Sequence, residues 1–237
     1  MTDYAIAVRI AMDEPWRVGT GTKGAAGIDD RTWSAADGSV VVPASHLKGK
    51  LREQAEWLAP LVGLRMCDGR LAGAVPGNWR TAPCQPDGAL PCVGCRLFGS
   101  PRISPGWHFS PARLNLTWPE DRAHCQEALI VQRAQRRART HNRVDPWLRR
   151  TSEDLLFTLE HAAADIELEA TIGYLFPDQP PDDEVALLVA AIGALDGLGG
   201  RSRRGFGACR AWVTNAPGGR DHDQWVERLT GGRWAET

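Results

Sequence analysis

Asp165-Ile166-Glu167-Leu168-Glu169-Ala170-Thr171-Ile172-Gly173-Tyr174 alternates apolar and polar residues at every step. In an extended chain, Ile166, Leu168, Ala170, Ile172 and Tyr174 fall on one side and Asp165, Glu167, Glu169 and Thr171 on the other. Period two of this kind predicts a half-buried strand. Its sequel decides the fold. Pro181-Asp182-Asp183-Glu184 sets a proline and three acids where a helix begins, and Val185, Leu188, Ile192 and Leu195 recur along one helical face. Gly197 ends that helix, and Phe206 to Val213 predicts a last strand, with Cys209 in its core. The C-terminal half therefore reads strand, helix, strand.

The N-terminal half repeats that order. Tyr4, Ile6, Val8 and Ile10 alternate with smaller or charged residues and predict a first strand. After the short apolar run Val40-Val41-Val42, Ser45 reads as the N-cap of a helix packed through Leu47, Leu51, Ala55 and Leu58. Trp107 to Trp118 predicts a further strand, Leu155, Phe157 and Leu159 alternate, and Gln224 to Leu229 reads as a short amphipathic tail helix. The sum is an α+β domain over residues 1–237 with a ferredoxin-like (RRM-like) βαββαβ core. Large insertions fall at 13–43, 64–106 and 119–160. Many RNA-binding modules share this topology, but a topology alone proves no function.

The 28 basic and 29 acidic residues nearly cancel, so net charge points to no partner. Distribution does. Between Val131 and Arg150 there are seven arginines (133, 136, 137, 139, 143, 149 and 150) against one acid, Asp145. A local basic stripe binds phosphate whatever the total charge. No apolar run is long enough to span a membrane, and the N-terminus lacks the basic and apolar regions of a secretory signal. These features predict a cytoplasmic protein, where six cysteines suggest a metal site rather than disulfides.

Gly197-Leu198-Gly199-Gly200-Arg201-Ser202-Arg203-Arg204-Gly205-Phe206-Gly207 has five glycines and three arginines in eleven positions. Bare backbone N–H groups beside guanidinium forks suit a polyanion; the plain reading is a tight turn. Ser45, His46, Lys48, Lys50 and Arg52 gather at the start of the first helix, whose dipole already favours anions. The stretch from Asp13 to Asp37 reads as a long mobile excursion. It carries the adjacent acids Asp29 and Asp30, which composition alone marks as turn residues. Pro91-Cys92-Val93-Gly94-Cys95 is a CxxC knuckle; Cys84 upstream gives C-x7-C-x2-C, and Cys67 can complete four sulfurs around zinc. The surrounding Pro- and Gly-rich segment has too few periodic apolar residues to order itself by burial, which favours a metal staple.

Three separated segments resemble the RAMP superfamily of CRISPR-associated proteins, and most nearly the backbone subunit of type III effector complexes. Val42-Pro43-Ala44-Ser45-His46-Leu47-Lys48-Gly49-Lys50-Leu51-Arg52 is similar to the family's Ile-Pro-Gly-Ser-Ser-Leu-Lys-Gly-Lys-Leu-Arg, with Ala44 and His46 in place of Gly and Ser. Cys95-Arg96-Leu97-Phe98-Gly99-Ser100 resembles its Leu-Phe-Gly element, and Gly199 to Gly207 its C-terminal glycine-rich loop. Gly27-Ile28-Asp29 resembles the Gly-Ile-Asp of its catalytic loop, with Asp30-Arg31 where that loop has Ser-Pro.

The resemblance implies a crRNA-binding subunit that contacts target RNA and neighbouring effector subunits, RAMP subunits among them. Ser45, His46, Lys48, Lys50, Arg52, Gly199, Gly200, Arg201, Arg203 and Arg204 would grip the guide. Asp29 would cut paired target RNA with a divalent metal such as Mg. The basic excursion, with Arg136, Arg137, Arg139 and Arg143, stands where the family has a thumb hairpin that wedges between bases. Three other readings remain open: a structural subunit without chemistry, a guide-processing ribonuclease using His46 and His141, and a zinc-stapled protein-interaction module.

Overall fold

A computed structural model describes residues 4–24, 27–67, 84, 90–114, 135–145, 147, 149–200 and 204–231. Strand β1 (Ala5–Met12) buries Ile6, Val8, Ile10 and Met12, the alternation its sequence predicts. It lies between two antiparallel partners, β7 (Ile166–Tyr174) and β8 (Cys209–Asn215). On its far side β7 pairs with two short strands, β3 (Trp107–Phe109) and β4 (Ala112–Leu114), and β4 pairs with β2 (Val41–Val42). The first strand thus sits between the third and last core strands, with the second core strand at the edge of the third. Two strand–helix–strand crossings produce this order.

Helices α1 (Ala44–Leu58) and α3 (Asp182–Gly193) cover the apolar face of the sheet. Leu47, Leu51 and Ala55 from α1, and Val185, Leu188 and Ile192 from α3, form one core with Ile6, Ile10, Leu168 and Ile172. Each of the valine, leucine and isoleucine side chains among these stabilises the fold by about 1.5–3 kcal/mol through burial alone. The other face of β1 and β7 is wet: Arg9 stands opposite Glu169 in register, 3.0 Å away. Helix α4 (His222–Gly231) closes the end of the core with Trp225 and Leu229. No helix among the described residues is long and apolar enough to cross a membrane.

Several expectations shift. The predicted strand from Trp107 to Trp118 breaks at Ser110-Pro111, because proline cannot donate to a ladder, and beyond Leu114 it leaves the described residues. The last strand starts at Cys209, not Phe206, because the side chain of Phe206 serves the hairpin described below. Ser45 is not the N-cap of α1. Pro43 holds that position, its carbonyl accepting from the N–H groups of His46 and Leu47 at 3.0 and 3.1 Å, and Ser45 lies exposed within the first turn.

The excursion after β1 is strapped down rather than loose. Trp16, fully buried, pairs with Ala162; Gly19 bridges Thr32; Ser34 bridges Val40. The expected second and third insertions are described only in part. Helix α2 (Val93–Phe98) packs on α1, while 68–83, 85–89 and 115–134 lie outside the described residues, Arg133 and Cys125 among them. The arginine stripe forms a separate two-stranded sheet, β5 (Arg136–Asp145) against β6 (Arg150–Ala162).

Candidate nucleic-acid interface and candidate metal centre

Gly199 and Gly207 have φ of +91° and +77°, and a Cβ at either would collide with a carbonyl oxygen, of Arg17 and Leu198 respectively. Only glycine fits both positions. The neck of the loop is clasped by Leu198 N–H to Gly207 C=O at 2.8 Å. Gly207 N–H donates to the carbonyl of Pro15 and Gly200 N–H to that of Arg17, both at 2.9 Å. Gly199 N–H donates to Nε2 of His46, 2.8 Å away. The loop is therefore tied directly to the first turn of α1. The N–H groups of Gly199 and Gly200, expected to face a polyanion, are engaged inside the protein. Arg204 is exposed on the returning limb; Arg201 and Arg203 lie outside the described residues.

His46 explains its own departure from the family pattern. Nε2 can accept from Gly199 only while it carries no proton, so the ring is neutral with its hydrogen on Nδ1. Burial, assisted by the charge of Lys50, holds its pKa below the usual histidine range and keeps the ring in that form. It is occupied as a structural acceptor rather than poised for proton transfer.

Cations on α1 do not form one cluster. A helix turns about 100° per residue, so positions 46 and 50 lie on one flank of the buried Leu47–Leu51 stripe and positions 48 and 52 on the other. Lys50 stands beside the His46–Gly199 junction and pairs with Glu53 at 2.8 Å. Lys48 and Arg52 face the segment after α2: the Lys48 ammonium lies 5.8 Å from the Phe109 ring centre, and Arg52 Nη1 donates to the Gly99 carbonyl at 3.4 Å. Arg52 also pairs with Glu56 at 2.7 Å.

Asp29 and Asp30 part company. Asp30 turns inward. Its carboxylate pairs with the guanidinium of Arg17 and accepts from Gly21 N–H at 2.9 Å, and its carbonyl accepts from Glu160 N–H at 3.1 Å. Asp29 is exposed. Its N–H donates to the Thr158 carbonyl at 2.8 Å, and its Oδ2 accepts from Thr158 N–H at 2.7 Å. One carboxylate oxygen is thereby oriented on β6, and Oδ1 makes no hydrogen bond to another described residue.

The root of the hairpin docks on the glycine loop through aromatic rings. His161, 1% exposed, stacks on Phe206 with ring centres 4.7 Å apart. His141, opposite Phe157 in register, stacks on it at 5.6 Å and brings its Nε2 to 3.1 Å from Nε2 of His161. Arg137 and Arg139 are exposed along β5; Arg136 points toward Glu160, 4.0 Å away; the side chain of Arg143 is outside the described set. At the turn Trp147 is 92% exposed, flanked by the exposed Val144 and Leu156.

A second centre lies where α2 begins. The sulfurs of Cys67, Cys84, Cys92 and Cys95 all fall within 4.8 Å of one another. Cys67 Sγ is 3.3 Å from Cys95, 3.5 Å from Cys92 and 4.0 Å from Cys84. Four thiolates about 2.3 Å from a tetrahedral zinc stand about 3.8 Å apart, so the donor set fits that ion. Cys67 N–H and Cys92 N–H donate to the sulfurs of Cys92 and Cys84 at 3.4 and 3.3 Å, contacts that orient thiolate ligands. Burial pushes the thiol pKa values of Cys92 and Cys95 up, and so does their crowding.

Three participants escape any reading of sequence spacing. Arg17 joins the glycine loop, through its carbonyl, to the aspartate loop, through its side chain. His161 and Phe206 join the hairpin to the glycine loop. Arg17 and His161 stand apart from the sequence motifs, Phe206 lies within the glycine loop, and only tertiary contact gives the three these roles.

The RAMP superfamily model matches residues 10–210. No curated protein matches the chain. Among solved structures it is similar to a chain of "Type III-B Cmr-beta Cryo-EM structure of the Apo state", with a TM-score of 0.58 and 11% identity over 90% of this chain and 98% of that one. The structural likeness is one of fold; the family model runs from the end of β1 to the start of β8 and takes in the aspartate loop and the glycine loop. The chain belongs to the RAMP superfamily.

Proposed function

We propose that this protein is a backbone subunit of a type III CRISPR effector complex, holding guide RNA and cutting the complementary target strand. The observation that carries the reading is convergence. The start of α1, the arginine-bearing glycine loop and the hairpin root meet through His46–Gly199 and His161–Phe206, and the exposed carboxylate of Asp29 sits on that same hairpin root. The likeness in fold to a chain of the type III-B Cmr-beta structure supports other effector subunits as partners.

Guide phosphates would lie along Lys50, Arg204 and the neighbouring loop arginines, a contact set whose affinity falls with salt. Arg137 and Arg139 would follow the duplex along the hairpin, and Trp147 has the exposure and flat ring to wedge between bases. Asp29 would help hold a divalent ion such as Mg through the carboxylate oxygen that does not bond Thr158. Such an ion supplies charge stabilisation to the phosphate under attack. In the reaction the ribose 2′-oxygen loses its proton and bonds to the adjacent phosphorus. The phosphorus–O5′ bond breaks, and the leaving oxygen takes up a proton, giving a 2′,3′-cyclic phosphate and a 5′-hydroxyl. Thr158 contributes by holding the Asp29 carboxylate in one rotamer.

Asp29→Ala should lower target cleavage by about 10²–10⁴-fold while guide affinity stays within twofold. Cleavage at the wild-type rate would leave the structural-subunit reading, which the Asp29–Thr158 hydrogen bond favours by giving Asp29 a purely conformational task. We assign zinc to the four cysteines; metal analysis of the purified chain should give close to one equivalent, and none would remove the staple.

A further inference from the structure

Residues 29–33 run between β6 on one side and the limb 18–22 on the other. Asp30 bridges Leu159 in parallel, and Gly19 bridges Thr32. Arg31 N–H donates to the Thr22 carbonyl at 3.2 Å, and the Arg31 carbonyl accepts from Thr20 N–H at 2.9 Å. Trp33 N–H donates to the Val18 carbonyl at 2.9 Å. An extended segment held on both edges sends successive side chains to opposite faces. Burial follows that alternation: Asp29, Arg31 and Trp33 are exposed, Asp30 is half-buried and Thr32 is buried. A carboxylate, a guanidinium and an indole therefore stand in one outward row, about 6.6 Å from one to the next along the chain.

The acids beside the row are engaged elsewhere. Asp30 pairs with Arg17, and Glu160 accepts from Thr32 N–H at 3.0 Å while Arg136 approaches it at 4.0 Å. Among the described residues the Arg31 guanidinium forms no ion pair and no hydrogen bond. Its stem is nevertheless placed. A Cβ on Gly24 would stand 2.9 Å from Arg31 Cγ and 3.0 Å from Ile28 Cβ, so the glycine leaves the room in which that stem lies. Gly24 has no left-handed φ; space, not backbone conformation, requires it. Trp33 is 45% exposed, and among the described residues its ring stacks on no other. A bare aromatic face beside a cation suits a single nucleic-acid strand, since any base can stack on the ring while the cation meets the phosphate. Arg31 also stands where the family's catalytic loop has proline, so this cation is particular to this chain.

We propose that Asp29, Arg31 and Trp33 form a track for the target strand, in which Arg31 binds the phosphate being cleaved and Trp33 stacks on a base of the same strand. The track rests on the cleavage function proposed above. As the 2′-oxygen bonds to phosphorus, negative charge builds on the two non-bridging oxygens, and a guanidinium fork can meet both at once. That contact strengthens as the charge grows, so Arg31 acts on the rate more than on binding. Stacking is the same before and during the reaction, so Trp33 acts mainly on binding.

The test uses the full-length chain loaded with guide. One arm measures affinity for a labelled complementary strand with 2′-deoxy nucleotides at the cleaved positions, which cannot react. The other measures single-turnover cleavage of the all-ribose strand. Arg31→Met keeps the stem over Gly24 and removes the charge. It should slow cleavage about 10²-fold and weaken binding of the unreactive strand by less than about fivefold. Arg31→Lys should recover the affinity but little of the rate, because an ammonium has no fork. Trp33→Ala should weaken the unreactive strand about tenfold, and Trp33→Phe should keep most of the affinity. Guide affinity should stay within about twofold in each variant, since the row is assigned to the other strand. Wild-type cleavage by Arg31→Met, or wild-type target affinity in Trp33→Ala, would overturn the track. An equal loss of guide affinity would also overturn it, by assigning the row to the guide. If Asp29→Ala abolishes cleavage while Arg31→Met cleaves as wild type, only the track falls. If Asp29→Ala cleaves at the wild-type rate, the proposed chemistry falls and takes the Arg31 role with it.

Discussion

The sheet-and-helix body and the hairpin of β5 and β6 are built on opposite terms. The body buries its strands on one face and closes that face with α1 and α3, so each apolar residue there meets apolar neighbours. Among the described residues the root of the hairpin is anchored by His161 on Phe206, Ala162 on Trp16 and Thr158 on Asp29, and Val144, Trp147 and Leu156 are exposed farther along it. A two-stranded ribbon has no second layer to stabilise it. Stability is thus concentrated in one part and recognition in the other, with the candidate chemistry at the joint between them.

Paired truncations put that contrast at risk. Ile172→Ala, fully buried on β7, should cost about 2–5 kcal/mol in urea unfolding. Leu156→Ala, 70% exposed, should cost under about 0.5 kcal/mol by the same measurement. Equal costs would mean that the hairpin tip packs on the body in solution. The joint gives a smaller effect of a different kind. Arg17→Met removes the partner of Asp30 and should cost about 1–3 kcal/mol, the penalty for leaving a polar group unsatisfied where it is partly buried. Because Arg17 also anchors the aspartate loop, target cleavage should fall further than guide affinity. Equal losses in both would make it a general stabiliser and not a positioning residue.

That division also explains how much could be read beforehand. In the body, side chains alternate because one face is dry, so β1, β7 and the apolar stripes of α1 and α3 were visible as period two and period 3.6. The four cysteines were visible through spacing, and the loop segments through resemblance. Ends were less legible: Ser45 has the chemistry of an N-cap, but Pro43 occupies the turn where the backbone enters α1. The joint was not legible at all. Arg17 and Asp30 are linked by an ion pair across an irregular loop, and Phe206 meets a histidine 45 positions earlier, contacts that no local period encodes. Even α1 misled in one respect. Its cations look like a single patch in sequence, yet the helical turn sends Lys50 toward the glycine loop and Lys48 and Arg52 toward the segment after α2.

The central claim is that the glycine loop, braced on α1, seats the ribose-phosphate backbone of a guide. Reversing Arg201, Arg203 and Arg204 together to glutamate and measuring guide RNA affinity at low salt tests it most directly. The account predicts a loss of at least about a hundredfold, together with a shallower salt dependence. Wild-type affinity and an unchanged salt slope would contradict it.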